Sequence, residues 1–279
     1  MKQRMLVLAG LCLSLSGLAQ SDTTGKSNGA NGSDTIRVGS MIIVRGSGGG
    51  DHTEDHDAKV YIHHRHYYKP QNISTNWVIL DLGFANFNDK TNYASAGAQQ
   101  FAPGGNSGWF GLRNNKSVDV NIWFFMQRLN LIKHVVNLKY GLGLELNNYR
   151  YTENIKYLTG PTEVVMDDIS YSKNKLATDY VTVPLMLNFN FTPHRRNGFG
   201  LSVGASAGYL YSSRQKLISG EHGKQKTHNS FDLDPWKISW ISEVQLGPVK
   251  LYGSYATQSM FKKGLDQVPY TVGIRLSNW

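Results

Sequence analysis

In the stretch NLKYGLGLELNNYRY, residues 137–151, Leu138, Tyr140, Leu142, Leu144 and Leu146 fall on every second position. Asn137, Lys139, Gly141, Gly143, Glu145 and Asn147 lie between them. A strand points successive side chains to opposite faces, so this pattern predicts one apolar face and one polar or bare face. From Asn76 onward the same alternation recurs. Val78, Leu80, Leu82 and Phe84 oppose Asp81, Gly83 and Ala85, and Val118, Val120, Ile122 and Phe124 oppose Asp119, Asn121 and Trp123. Val181, Val183, Leu185, Leu187 and Phe189 oppose Thr182, Pro184, Asn188 and Asn190. Four further runs begin near Phe199, Trp236, Val249 and Tyr270, which makes eight strands in all.

The connections say what the apolar face meets. About thirty polar residues join the first two strands, and only RLNLIKH joins the second to the third. Long and short connections then alternate to the end of the chain, the shortest being Gly247-Pro248. A transmembrane barrel sorts its connections this way, with long loops on one side of the membrane and short turns on the other. A soluble, lipocalin-like barrel has no reason to do so and needs a polar outside. The fold class expected is therefore all-β: an eight-stranded antiparallel transmembrane β-barrel with a short N-terminal periplasmic extension. Trp77, Tyr149, Tyr151, Tyr180, Phe191, Phe199, Tyr209, Tyr211, Trp236, Tyr255 and Tyr270, near strand ends, are expected to form interfacial girdles.

The first twenty residues agree with export. Lys2 and Arg4 precede the apolar run Met5–Leu18, and Gly17-Leu18-Ala19 supplies small residues for cleavage after Ala19. The run is shorter than the ~20 residues that a helical span requires. Cys12, the single cysteine, lies inside this signal, so no disulfide is expected in the mature chain. Residues 20–75 read as a flexible periplasmic extension. Within it, Thr35–Val38 and Met41–Val44 flank Gly39-Ser40 as a short hairpin. Residues 76–279 are the barrel.

Composition adds little to this picture. Mean hydropathy is negative, as in a soluble protein, but half of every barrel strand is polar too. Loss of the signal takes the formal charge from +9 to +7. Basic residues scattered along an exported chain do not point to nucleic acid, and a surface touching acidic lipid or sugar headgroups fits them better.

Three stretches of the barrel resemble the PorT-like outer-membrane β-barrel proteins of Bacteroidetes. They are TNWVILDLGFANF at the opening, DYVTVPLMLNF at the fourth strand and GFGLSVGASAGYLY at the fifth, with the C-terminal aromatic Trp279. The resemblance implies an OmpA/OmpX-sized barrel in the outer membrane, one class of relatives being linked to secretion. Expected partners are outer-membrane lipid and envelope or secretion proteins, with no nucleic acid. Leu276 and Ile274 are one residue out of step with Trp279, a departure from the usual terminal signal.

Inward positions carry both signs of charge: Asp81, Asp119, Glu145 and Glu243 with Lys139, Lys237, Lys250 and Arg275. A buried charge needs a partner, so these residues are expected to form a lumen polar network, with a narrow ion path as the alternative. Inward glycines (Gly141, Gly143, Gly200, Gly204, Gly208) fit tight curvature. No catalytic residues are assigned. His134 and His194 fall in short turns, and His222 and His228 share an outer loop with Ser219, Ser230 and Glu221, in no spacing that marks an enzyme. No cofactor is expected in the barrel. In DHTEDHDAKVYIHHRHYYK, His64 and His66 would share a strand face and, with His63, could hold zinc or copper. The competing reading of that stretch is a solvated linker that binds nothing tightly.

Overall fold

The structure is a computed structural model and describes residues 33–38, 41–46, 60–62, 70–195 and 197–277, the first three segments by their backbone alone. The export signal, His63, His64, His66 and Trp279 lie outside the described residues. The chain divides into two compact units, residues 1–66 and 67–279. In the first, β1 (Ser33–Val38) and β2 (Met41–Gly46) pair antiparallel with Val38 opposite Met41, and β3 (Val60–Ile62) adds to β2.

The second unit contains β4 (Ile73–Asp89), the short helix α1 (Ala96–Phe101), β5 (Val118–Ile132), β6 (Val136–Arg150), β7 (Ile155–Tyr157) and β8 (Val164–Met166). It continues with β9 (Tyr171–Asn190), β10 (Phe199–Ser219), β11 (Gly223–His228), β12 (Trp236–Leu246), β13 (Val249–Ala256) and β14 (Gln267–Leu276). Eight of these form a ring in the order β4-β5-β6-β9-β10-β12-β13-β14, all antiparallel, and β14 pairs back onto β4. Closure leaves the ring without an edge, the condition that lipid imposes on a sheet.

The alternation read from the sequence sorts the wall. Val181, Val183, Leu185 and Leu187 of β9 are exposed, while Thr182, Met186 and Asn188 are buried. One irregularity occurs in β4, where Val78 takes φ 56°. Trp77 faces Phe125 and Ile79 faces Trp123, so the β4–β5 register does not shift across Val78, which lies level with Phe124. With this backbone turn Trp77 and Val78 are both exposed, and Ile79 is buried. The last strand is in register, with Arg275 opposite Asp81 and Leu276 opposite Leu80.

Two expectations need correction. Most of the named aromatics do ring the outside, Trp77 at 68% exposure and Phe191 at 65% among them, but Tyr149, Tyr151 and Tyr180 are buried at 1–2%. Parity explains this: Tyr149 shares a face with Gly143, Glu145 and Asn147, and Tyr180 with Thr182. β12 and β14, with 11 and 10 residues, match the ~9–11 that cross a membrane, but other ring strands do not. β9 has 20 residues and β10 has 21, and both run well past the wall's apolar band. Segments expected as loops are thus partly sheet, with β7 pairing β8 and β11 pairing the far end of β10.

Candidate functional site

The barrel interior is filled by its own side chains, as expected for eight strands. All eight inward charged residues named above are buried. Arg275, from β14, reaches Asp81 of β4 with Nε and Nη2, each at 2.7 Å, and also donates to Glu243 of β12. Lys139 of β6 donates to the other oxygen of Glu243 at 2.7 Å and to Ser202 Oγ at 3.2 Å. One connected chain, Lys139–Glu243–Arg275–Asp81, therefore crosses the lumen. Trp123 Nε1 donates to Asp81 at 2.7 Å, so the carboxylate has donors from two walls. Glu145 pairs with Lys237 separately, Asp119 accepts from Asn121 at 3.0 Å and from the Tyr252 hydroxyl, and Lys250 donates to Ser277. The network is thus a central charge chain with satellites. Beside it, a cavity of about 30 Å³, lined by Asn121, Trp123, Glu145 and Arg275 among others, has room for about one water molecule.

Glycines make space for this filling. Gly83 and Gly273 are directly opposite in β4 and β14, and the Tyr252 ring lies across them. A Cβ on Gly273 would stand 2.3 Å from the Leu82 carbonyl oxygen and 2.7 Å from the Tyr252 ring, closer than real Cβ atoms approach. Gly273→Val is therefore expected to yield no folded barrel, read as loss of the heat-modifiable band on electrophoresis. Gly97→Ala, whose Cβ would meet nothing within 4 Å, should fold as the wild type does.

The end of the barrel carrying the long connections holds a second assembly, which the sequence did not predict. Phe87, Phe101, Phe110, Tyr149, Tyr151 and Tyr157 pack with Phe231, Leu233, Met260, Phe261 and Leu265 into one buried cluster. All four long connections contribute to it. Tyr157 lies parallel to Phe261 at 6.4 Å and contacts Phe231 at 5.4 Å, and Phe101 meets Phe261 edge-on at 5.5 Å. The polar supports are equally specific. Gln215 Oε1 accepts from Tyr157 N at 2.9 Å, while Gln215 Nε2 and Asn174 Nδ2 donate to the Ile155 carbonyl at 3.0 and 2.7 Å. These bonds satisfy backbone that β7 would otherwise bury unpaired. The Tyr151 and Tyr157 hydroxyls share a 2.8 Å hydrogen bond, and burial pushes both above the usual tyrosine range, which keeps them protonated. The long connections are a cored cap, closed over the lumen.

The rim histidines do not converge. His134 sits in the β5–β6 turn with φ 59°, His194 in the β9–β10 turn, and His228 on β11 opposite Arg214. His222 meets Ser219 through its backbone N–H, not its ring. Among the described residues no group of three or more His, Cys, Asp or Glu is arranged to hold a metal ion.

A closed ring of eight antiparallel strands, apolar outside and polar within, is a transmembrane β-barrel. The chain belongs to the outer membrane protein beta-barrel domain family, whose model matches residues 83–256. It is accordingly an outer-membrane protein in contact with outer-membrane lipid. Among solved structures it is similar to Neisserial surface protein A (NspA), with 12% identity over 75% of this chain and 100% of that one, at a TM-score of 0.31. It is also similar to Ail, the attachment invasion locus protein of Yersinia pestis, with 8% identity over 72% of this chain and 98% of that one, at a TM-score of 0.29. No curated protein matches significantly.

Proposed function

We propose that this protein is a sealed, non-enzymatic barrel whose cap is a rigid platform for another component of the cell envelope, with the long-connection end facing outward. The observation that carries this reading is the cap core: four connections converge on one aromatic cluster, so the end surface is fixed rather than fluctuating. Fixed surfaces lose little conformational entropy on binding. The charge chain below and the cap above speak against an ion path. A cleft of about 230 Å³ on the cap, between Gln100, Phe101, Glu163, Asp232 and Lys263, offers a place for such a contact. The resemblance of the barrel strands to PorT-like proteins directs attention to secretion assemblies as the partner class, and the periplasmic extension would offer a second contact. Zinc or copper at His63, His64 and His66 stays a separate proposal, tested by metal content before and after their replacement.

The test is affinity capture from outer membranes in mild detergent, followed by mass spectrometry, alongside planar-bilayer recording. A stoichiometric envelope protein that is lost with Glu163→Lys/Asp232→Lys, together with a silent bilayer, is the expected result. Recovery of the barrel alone, or reproducible current steps from the wild type, would overturn the reading.

A further inference from the structure

The basic residues look scattered in the sequence, yet the sheet brings them into line. Arg150 of β6 is directly opposite Lys175 of β9, Lys175 is opposite Lys216 of β10, and Lys216 is opposite Lys226 of β11. Directly opposed residues of antiparallel strands project from the same face, so four cations stand in one row across four strands. Lys173 and Lys224 flank the row on either side of Ile218, and Arg214 lies one step below it, opposite His228. Arg214 is ion-paired with Asp179, while among the described residues Lys173, Lys175, Lys216, Lys224 and Lys226 are not ion-paired. Arg150 donates from Nη2 to the Ser172 carbonyl at 2.8 Å, and its Nε is buried without a hydrogen-bond partner.

Like charges placed directly opposite destabilise a sheet, so this row costs stability that a fold without a use for it would shed. The crowding is visible at Lys175, whose ammonium is pushed down to about 8 by burial and by Lys173, Arg214 and Lys216. Lysines blunting a free sheet edge explain only Lys224 and Lys226, because β11 is the edge and β6 and β9 are not.

The position of the row selects the ligand. It lies on the face that, lower on the same strands, carries Leu144, Val181 and Tyr209 toward lipid. Lys175 is six residues beyond Val181 on β9, about 20 Å along a strand and, at the usual tilt, about 15 Å above the apolar band. That is the height of lipid headgroups and the first sugars attached to them, and the row faces sideways toward them. We propose that Arg150, Lys175, Lys216 and Lys226 bind the phosphate groups of phosphorylated glycolipid in the leaflet beside the barrel. The inference rests on the reading that the long-connection end faces outward.

The full chain in detergent micelles, titrated with bis-phosphorylated lipid A and followed by native mass spectrometry, tests it. A one-to-one adduct that weakens with added salt is expected. Lys175→Gln/Lys216→Gln/Lys226→Gln should weaken it on the order of 100-fold, and the exposed-edge variant Lys224→Gln/Lys226→Gln about tenfold. Lys90→Gln/Lys116→Gln/Lys262→Gln, with the same charge change elsewhere on that end, should bind as the wild type does. Unchanged binding by both row variants would overturn the proposal. So would retention of heparin with no retention of lipid A, which would assign the row to a soluble polyanion. Labelling of Lys224→Cys in intact cells by an impermeant maleimide tests the orientation by itself, since the lipid titration does not depend on it.

Discussion

Arg275→Met is expected to destabilise the folded barrel by about 3–5 kcal/mol, the usual cost of removing one partner from a buried ion pair. The guanidinium supplies three hydrogen bonds to two carboxylates, Asp81 and Glu243, and is itself almost wholly buried. Without it Glu243 retains its ion pair with Lys139, whereas Asp81 retains only neutral donors such as Trp123 Nε1 and loses its ion-pair partner. Asp81→Asn in the Arg275→Met background removes one stranded charge while leaving an acceptor for Trp123. That double variant should therefore recover part of the loss, with a coupling in the range of about 0.5–3 kcal/mol for residues in one network. Urea unfolding in micelles, monitored by tryptophan fluorescence, measures both. A cost below ~1 kcal/mol for Arg275→Met, or strict additivity of the two changes, would show that the lumen charges are solvated rather than mutually satisfied.

The wall was legible because its period is two and its loops are sorted by length. Leu138 to Leu146 and Val181 to Leu187 face outward as their parity demands, and the charged residues between them are inside. Parity also held the answer for Tyr149 and Tyr180, which their position near strand ends concealed. The pairings inside the lumen were not legible. Nothing in a linear pattern puts Arg275 beside both Asp81 and Glu243, because those contacts follow from the stagger of the closed sheet.

The cap escaped for a different reason. Phe101, Phe110, Phe231, Leu233, Phe261 and Leu265 stand in polar surroundings with no period to connect them. Isolated apolar residues in loops are usually unremarkable, and only their convergence makes a core. The basic row is similar. Arg150, Lys175, Lys216 and Lys226 belong to different segments, and registers fixed by the apolar wall below bring them together. Sequence periodicity thus reports the faces of elements, while sites built across elements depend on register.

Tyr157→Ala should open the cap without opening the barrel. Truncating a buried aromatic typically costs about 3–5 kcal/mol, and this ring sits between Phe231, Phe261 and Tyr151. The loss falls on a part of the molecule held by loops and the three-residue ladder of β7 and β8, not by the continuous ladder of the ring. Local opening draws on such weakly tied regions first, so the cost should appear there as lost protection. Limited proteolysis is expected to nick residues 155–166 in the variant while the heat-modifiable barrel band persists, and amide exchange of β7 and β8 should accelerate. Tyr157→Phe keeps the ring and loses only the hydroxyl contact with Tyr151, a change of about 1 kcal/mol, and should stay resistant. If Tyr157→Ala instead abolishes the barrel band, cap and wall fold as one unit. The platform would then be an extension of the barrel rather than a separate layer upon it.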